Sequence, residues 1–152
     1  MTDKKLKSHR VKIDKIDKEI YALIQKRASH AVAIGKIKSK VSPKESFYKP
    51  DRETKILRNI LNANKKGLLP DSKIRAIYKE LISGCLSLEE ILKVAYLGPE
   101  ATHSEAAVHN QFGSQALRIP TSPIDDVFYQ VINDDVNLGV VPVENSSEGV
   151  IN

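Results

Sequence analysis

The stretch VKIDKIDKEIYALIQKRASHAVAIGKIKSK, residues 11–40, decides how the rest of the chain is read. At a step of 100° per residue, Ile13, Ile16, Ile20, Leu23, Ala31 and Ile34 fall within about 40° of Arg27, on one face of a helix. Lys38 falls within about 20° of the same line. A cation buried without a partner costs several kcal/mol, so cations planted in an apolar stripe call for an anion. Eleven residues of helix separate the Arg27 and Lys38 Cα atoms by roughly 16 Å. Two long side chains leaning toward each other across that gap could hold a small dianion. The competing explanation is a pair of snorkelling cations at the surface of a bundle.

The whole 152-residue chain is read outward from this helix. It is 41% hydrophobic and 28% charged, with no Trp, which suits a globular protein with an aliphatic core. No apolar run is long enough to span a bilayer, and the Lys-rich N-terminus lacks the apolar segment of a secretory signal. The single cysteine, Cys85, rules out an internal disulfide and fits a reducing compartment. The expectation is a cytoplasmic protein without a membrane partner. Charge divides the chain. Residues 1–92 carry 22 Lys/Arg against 11 Asp/Glu, and residues 93–152 carry 2 against 8. A basic part of +11 followed by an acidic part of −6 suggests two domains with different partners.

Residues 1–10 read as a polar lead-in that joins the first helix, and Val41 to Pro50 as a loop punctuated by Ser42-Pro43 and Lys49-Pro50. A second helix begins at Pro50-Asp51-Arg52-Glu53 and ends around Lys66-Gly67. A third, capped by Asp71 or Ser72, is expected to run through Ile82, Cys85, Leu88 and Leu92. Three helices with one stripe each cannot close a good core alone, which suggests a dimer. At Lys93 the period changes. Val94 to Leu97, Ala116 to Ile119 and Leu138 to Val143 read as strands. Two helices lie between them, one after the capping box Thr102-His103-Ser104-Glu105 and one over Pro123 to Asn133. This is the β-α-β order of a parallel sheet. Sixty residues are expected to leave faces of that sheet uncovered, making this the less stable part.

Arg52, one turn before Ile56, and Glu89, seven residues after Ile82, also fall on apolar sides of their helices, and Glu53 stands beside Arg52. Arg27, Lys38, Arg52, Glu53 and Glu89 on three helices are better explained by one enclosed, polar, anion-binding site than by five accidents. Arg10 lies roughly 25 Å along the axis from Arg27 and cannot reach the same ligand from the same helix. In an antiparallel dimer it could enter the partner's site; otherwise it is a solvated charge.

Residues 1–92 resemble the all-helical chorismate mutase domain. The matching residues are Arg10, Ile13, Ile16-Asp17, Leu23-Ile24, Lys26-Arg27, Ala31, Gly35-Lys36-Ile37-Lys38 and Phe47-Tyr48-Lys49-Pro50-Asp51-Arg52-Glu53. KVAYLGPEATHSEAA and GVVPVENSSEGVIN then resemble the opening of prephenate dehydratase. The order is that of the bifunctional chorismate mutase/prephenate dehydratase family of phenylalanine biosynthesis. The resemblance implies an all-α three-helix dimeric bundle over residues 1–92, followed by an incomplete α/β parallel-sheet lobe over residues 93–152.

It further implies rearrangement of chorismate to prephenate by a pericyclic shift, with no metal or cofactor. Arg27, and Arg10 from the other protomer, would bind the substrate carboxylates. Lys38 would donate to the ether oxygen and a carboxylate, Arg52 would support the site, and Glu53 would accept from the ring hydroxyl. Cys85 stands where some members have Ser, and is more readily a buried filler. Glu89 stands where some have a Gln that donates to the ether oxygen. A carboxylate cannot donate and a carboxylic acid can, so activity is expected to fall as Glu89 ionises. Lys49 replaces an acid found in some members and takes no role.

In the lobe, Thr102, Ser104, Glu144, Asn145 and Ser146 match the substrate-side loops of prephenate dehydratase. Strand ends and helix starts suit carboxylate binding, though capping and Asx or Ser turns use the same groups. The family usually reads Gly-Thr-Phe-Ser where this chain reads Ala101-Thr102-His103-Ser104, and His103 is not taken as a base. The dehydration motif of the family would lie beyond residue 152, so no dehydratase activity is expected from this chain alone. Two rival readings remain: a basic helical binder of nucleic acid or an anionic surface, and a mutase-like regulatory module without activity. The first gives no reason for cations on inward faces, so no nucleic-acid partner is expected.

Overall fold

The computed structural model describes residues 2–41, 47–145 and 149–150, with Thr2, Asn145, Gly149 and Val150 described by their backbone alone. The first element, α1, is one continuous helix over Thr2–Val41. It takes in the polar lead-in and runs roughly 60 Å. Every described side chain from Asp3 to Lys26 is exposed. Ile13, Ile16, Ile20 and Leu23 are therefore bare, at 54%, 53%, 48% and 65% exposure. Among the described residues, α1 packs on another element around Ala31 and Gly35, which are buried.

That element is α3 (Asp71–Leu86), which also carries α2 (Pro50–Ala63). Pro50 opens α2 as expected, since a first-turn residue has no N–H partner to lose. A 3-10 turn over Asn64–Lys66 closes it. The expected side-chain cap of α3 is absent. Pro70 holds the N-cap position and Asp71 lies inside the helix, its carboxylate accepting from Asn64 Nδ2 at 2.7 Å. The helix also ends earlier than expected. Ser87, Leu88 and Glu89 form a turn whose bonds shorten from Ser87 N–H→Ser83 O to Glu89 N–H→Leu86 O. Glu89 thus stands on the turn after α3, where the chain changes direction toward the sheet.

The rest of the chain is β1 (Lys93–Leu97), α4 (His103–Phe112), β2 (Leu117–Thr121), α5 (Ile124–Ile132) and β3 (Leu138–Val140), then a hairpin of β4 (Glu144–Asn145) and β5 (Gly149–Val150). The three longer strands form a parallel sheet in the order β2-β1-β3, with Ala95 opposite Ile119 on one side and Gly139 on the other. The third strand is shorter than expected because Pro142 offers no N–H to a ladder.

The central strand is covered on both faces, contrary to the expectation of bare ones. Val94 and Tyr96 point into a cluster with Leu92, Val108 and Ala116, while Ala95 points the other way, against Val127 and Val136. The first cluster is completed by Tyr48 and Leu86, which come from the helical part of the chain. Sixty residues suffice because the helices supply part of the cover. No helix among the described residues is long and apolar enough to cross a membrane.

The seam between the two parts is closely built. Ser114 donates to Glu80 from both its N–H and its hydroxyl, and the Gln115 N–H donates to Ser83 Oγ at 3.3 Å. Lys79 Nζ donates to the carbonyls of Asn110 and Gln111, the free acceptors at the end of α4. Asn137 Nδ2 donates to Glu90 Oε1 at 3.2 Å on the opposite edge.

Candidate active site

Lys38 lies in the last turn of α1, and its ammonium meets two groups from distant parts of the chain. It pairs with Glu89 Oε2 at 3.3 Å and donates to the Phe47 carbonyl at 3.1 Å. The Phe47 ring lies 5.2 Å from Nζ, within reach of a cation–π contact. Glu89 is the more enclosed partner, its side chain 11% exposed against 31% for Lys38. An ammonium has three donors, and two are committed here. The close approach of the turn to α1 is made possible by Gly35. A Cβ there would stand 3.3 Å from the Glu89 Cα and Cβ.

Arg27 lies three turns back along α1 and is half-buried. Its Nη1 donates to the Leu81 carbonyl at 3.2 Å, leaving the other guanidinium donors uncommitted among the described residues. Cys85 is buried and a free thiol. Arg10 is exposed on the projecting part of α1.

The five inward residues do not share one cavity, which corrects the sequence expectation. Arg52 is exposed. Glu53, one residue and 100° further round α2, lies in line with the buried Leu57. It faces a cleft of about 390 Å³ between α2, α3 and the end of α4, lined also by Arg58, Arg75, Lys79 and Gln111. None of Arg27, Lys38, Arg52 or Glu89 lines that cleft. Burial pushes the Glu53 carboxyl above its usual 4.5, and the Lys79 charge opposes the shift. Burial likewise pushes the Tyr48 phenol above 10.0, reinforced by Glu53 and opposed by its hydrogen bond from Gln111.

In the sheet-bearing part, Thr102 caps α4. Its hydroxyl accepts from the Glu105 N–H at 3.4 Å and donates to the Pro99 carbonyl at 3.0 Å. Glu105 answers by accepting from the Ala101 N–H at 2.7 Å, a capping box shifted by one residue, and pairs with Arg118 at 3.2 Å. Ser104 is half-buried and Glu144 exposed. No hydrogen bond or ion pair among the described residues joins this turn to Glu144. Asn145 lies in β4, and Ser146 lies outside the described residues. The residues that reasoning from the sequence missed are Phe47 and Gly35. A glycine kept inside a long helix was the one available signal for close approach.

Comparison with known proteins agrees with this architecture. The family model described as chorismate mutase type II matches residues 9–90, which contain α1, α2, α3 and the Lys38–Glu89 pair. The chain belongs to the chorismate mutase type II family. A second family model, prephenate dehydratase, matches residues 94–152, where the period changes to strands.

Among similar proteins, the bifunctional chorismate mutase/prephenate dehydratase of Stutzerimonas stutzeri is 44% identical over 97% of this chain and 41% of its own length. The protein of the same name from Aquifex aeolicus is 47% identical over the same shares. That from Escherichia coli K12 is 26% identical over 94% of this chain and 41% of its own length. The chain thus spans about two-fifths of these relatives. No solved structure gives a significant match. The chorismate mutase part is therefore followed, in the order seen in these relatives, by part of a prephenate dehydratase domain.

Proposed function

We propose that this chain rearranges chorismate to prephenate, and that it does so as a homodimer in the cytoplasm. The observation that carries the reading is the Lys38 ammonium. It is fixed from two sides by Glu89 and the Phe47 carbonyl, with its third N–H uncommitted among the described residues. A pericyclic shift needs no nucleophile and no proton transfer. It needs a folded substrate conformer and donors where charge gathers on the ether oxygen. Lys38 supplies such a donor, and the Arg27 fork binds a substrate carboxylate. Arg52, which is exposed, and Glu53, which faces the separate cleft, take no role in this reading. Cys85 fills space beside the substrate.

The dimer reading is supported by the bare stripe of Ile13, Ile16, Ile20 and Leu23. An apolar stripe on a projecting helix is stable when a second helix covers it. A second copy, antiparallel, would bring its Arg10 to the second carboxylate. In the sheet-bearing part, Thr102, Ser104, Glu144, Asn145 and Ser146 would belong to the prephenate side of a dehydratase site.

The test is the loss of chorismate absorbance on addition of the purified chain, with prephenate as product. Turnover abolished by Lys38→Ala supports the proposal. A folded chain that leaves chorismate untouched overturns it.

A further inference from the structure

We propose that Tyr48 and Phe112 are positioning residues for Lys38, so that the α/β part of the chain sets the geometry of the mutase site. The catalytic consequence rests on the reading above; the positioning does not. The argument begins with one peptide plane. The Phe47 carbonyl that accepts from Lys38 belongs to the peptide joining Phe47 to Tyr48. That unit is planar, so with the Tyr48 Cα held its carbonyl moves only by turning the whole peptide plane, which changes the backbone dihedral of Tyr48 as well.

Tyr48 is held by the other part of the chain. Its ring meets Phe112 edge-on, with centroids 5.4 Å apart at 71°, and its hydroxyl accepts from Gln111 Nε2 at 3.4 Å. It packs on the cluster of Val94, Tyr96 and Val108, which are 0%, 1% and 0% exposed. The second partner of Lys38 is held in the same way. Glu89 follows Leu86 by one turn, its N–H bonded to the Leu86 carbonyl at 2.8 Å, and Leu86 packs on that cluster too. Both groups that fix the ammonium therefore lie within three residues of a side chain seated in the lobe. A lysine has a long, flexible stem and no fork to orient it, so its position is only as good as its partners'.

The test uses the full chain, with two readouts. Competitive trace acetylation by acetic anhydride, read by peptide mass spectrometry, reports how far each lysine amine is tied up. Lys36 and Lys40, exposed on the same turn of α1, are the internal standards. Phe112→Ala is expected to raise the labelling of Lys38 relative to both by about threefold or more as its carbonyl partner drifts. It is also expected to lower kcat for chorismate about tenfold, with a smaller effect on KM. Tyr48→Phe, which keeps the ring contact, is expected to leave both close to the parental values. Phe128→Ala, on an exposed ring of α5, is expected to change neither. If Phe112→Ala unfolds the lobe by circular dichroism, Phe112→Leu carries the same two measurements. Unchanged Lys38 labelling and unchanged kcat in a folded variant overturn the proposal. If Lys38 labelling responds but the parent never turns over chorismate, the positioning stands and the mutase reading falls.

Discussion

Gly113, just past α4, is seated on Ser83 of α3 so closely that a Cβ would lie 2.6 Å from the Ser83 Cβ. Its φ of 79° with ψ of −174° is a backbone conformation reserved for glycine. Gly113→Ala therefore meets two penalties at once. The backbone strain alone is about 1–3 kcal/mol. Urea unfolding is expected to show that loss, with the hydrogen bonds from Ser114 and Gln115 to α3 weakened. An unchanged unfolding midpoint would show that the seam is softer than its geometry.

Lys38 and Glu89 make separable contributions. Lys38→Ala removes the proposed donor to the ether oxygen, and kcat is expected to fall about 10²–10³-fold. Glu89→Gln keeps the shape but removes the charge that pairs with the ammonium at 3.3 Å, so kcat is expected to fall, though less than in Lys38→Ala. An unchanged kcat in that variant would show that the carboxylate does not hold the ammonium in place.

Glu53 couples pH to stability. Its carboxyl is raised above 4.5 by burial, so the folded chain holds that proton more tightly than the unfolded one. The resulting stabilisation is complete below 4.5 and is lost as pH rises through the higher folded value. Glu53→Gln is thus expected to stabilise the chain at neutral pH, with the advantage closing in acid. Denaturation midpoints of parent and variant across that range check it; a constant gap would contradict the linkage.

Dimerisation and the role of Arg10 are tested together by mixing two inactive variants. On the proposed reading, Arg10→Ala and Arg27→Ala would each damage every site in their own homodimers. In a mixed dimer, one site receives both intact arginines and the other neither. Random reassociation of equal amounts is expected to restore about a quarter of parental activity. No recovery, with exchange of protomers shown by sedimentation of tagged chains, would place Arg10 outside the partner's site. Leu23→Lys, on the bare stripe, is expected to give a monomer.

Much of this molecule could be read from periodicity. The stripe of α1, the proline-led start of α2 and the alternation β1-α4-β2-α5-β3 all reflect local pattern. Thr102 could be read as a cap because capping is decided within four residues. Other features depend on who packs against whom. Arg52 and Glu53 both border the broad apolar side of α2, and only the packing of α3 and α4 makes Glu53 the buried one. Glu89 looked helical because the pattern continues past Leu86, but the chain must turn there to reach β1. The covering of β1 by Tyr48 joins positions 48 residues apart, beyond any local window.

The sharing of Tyr48 and Leu86 has a practical consequence for anyone dissecting this chain. The family boundary falls at residues 90–94, yet the physical boundary does not follow it. A fragment ending there would leave an aromatic ring and a leucine facing water, and the excised sheet would lose part of its lid. Each piece would carry a sticky scar. Any split or fusion should travel with compensating polar substitutions at positions 48 and 86, or be placed elsewhere.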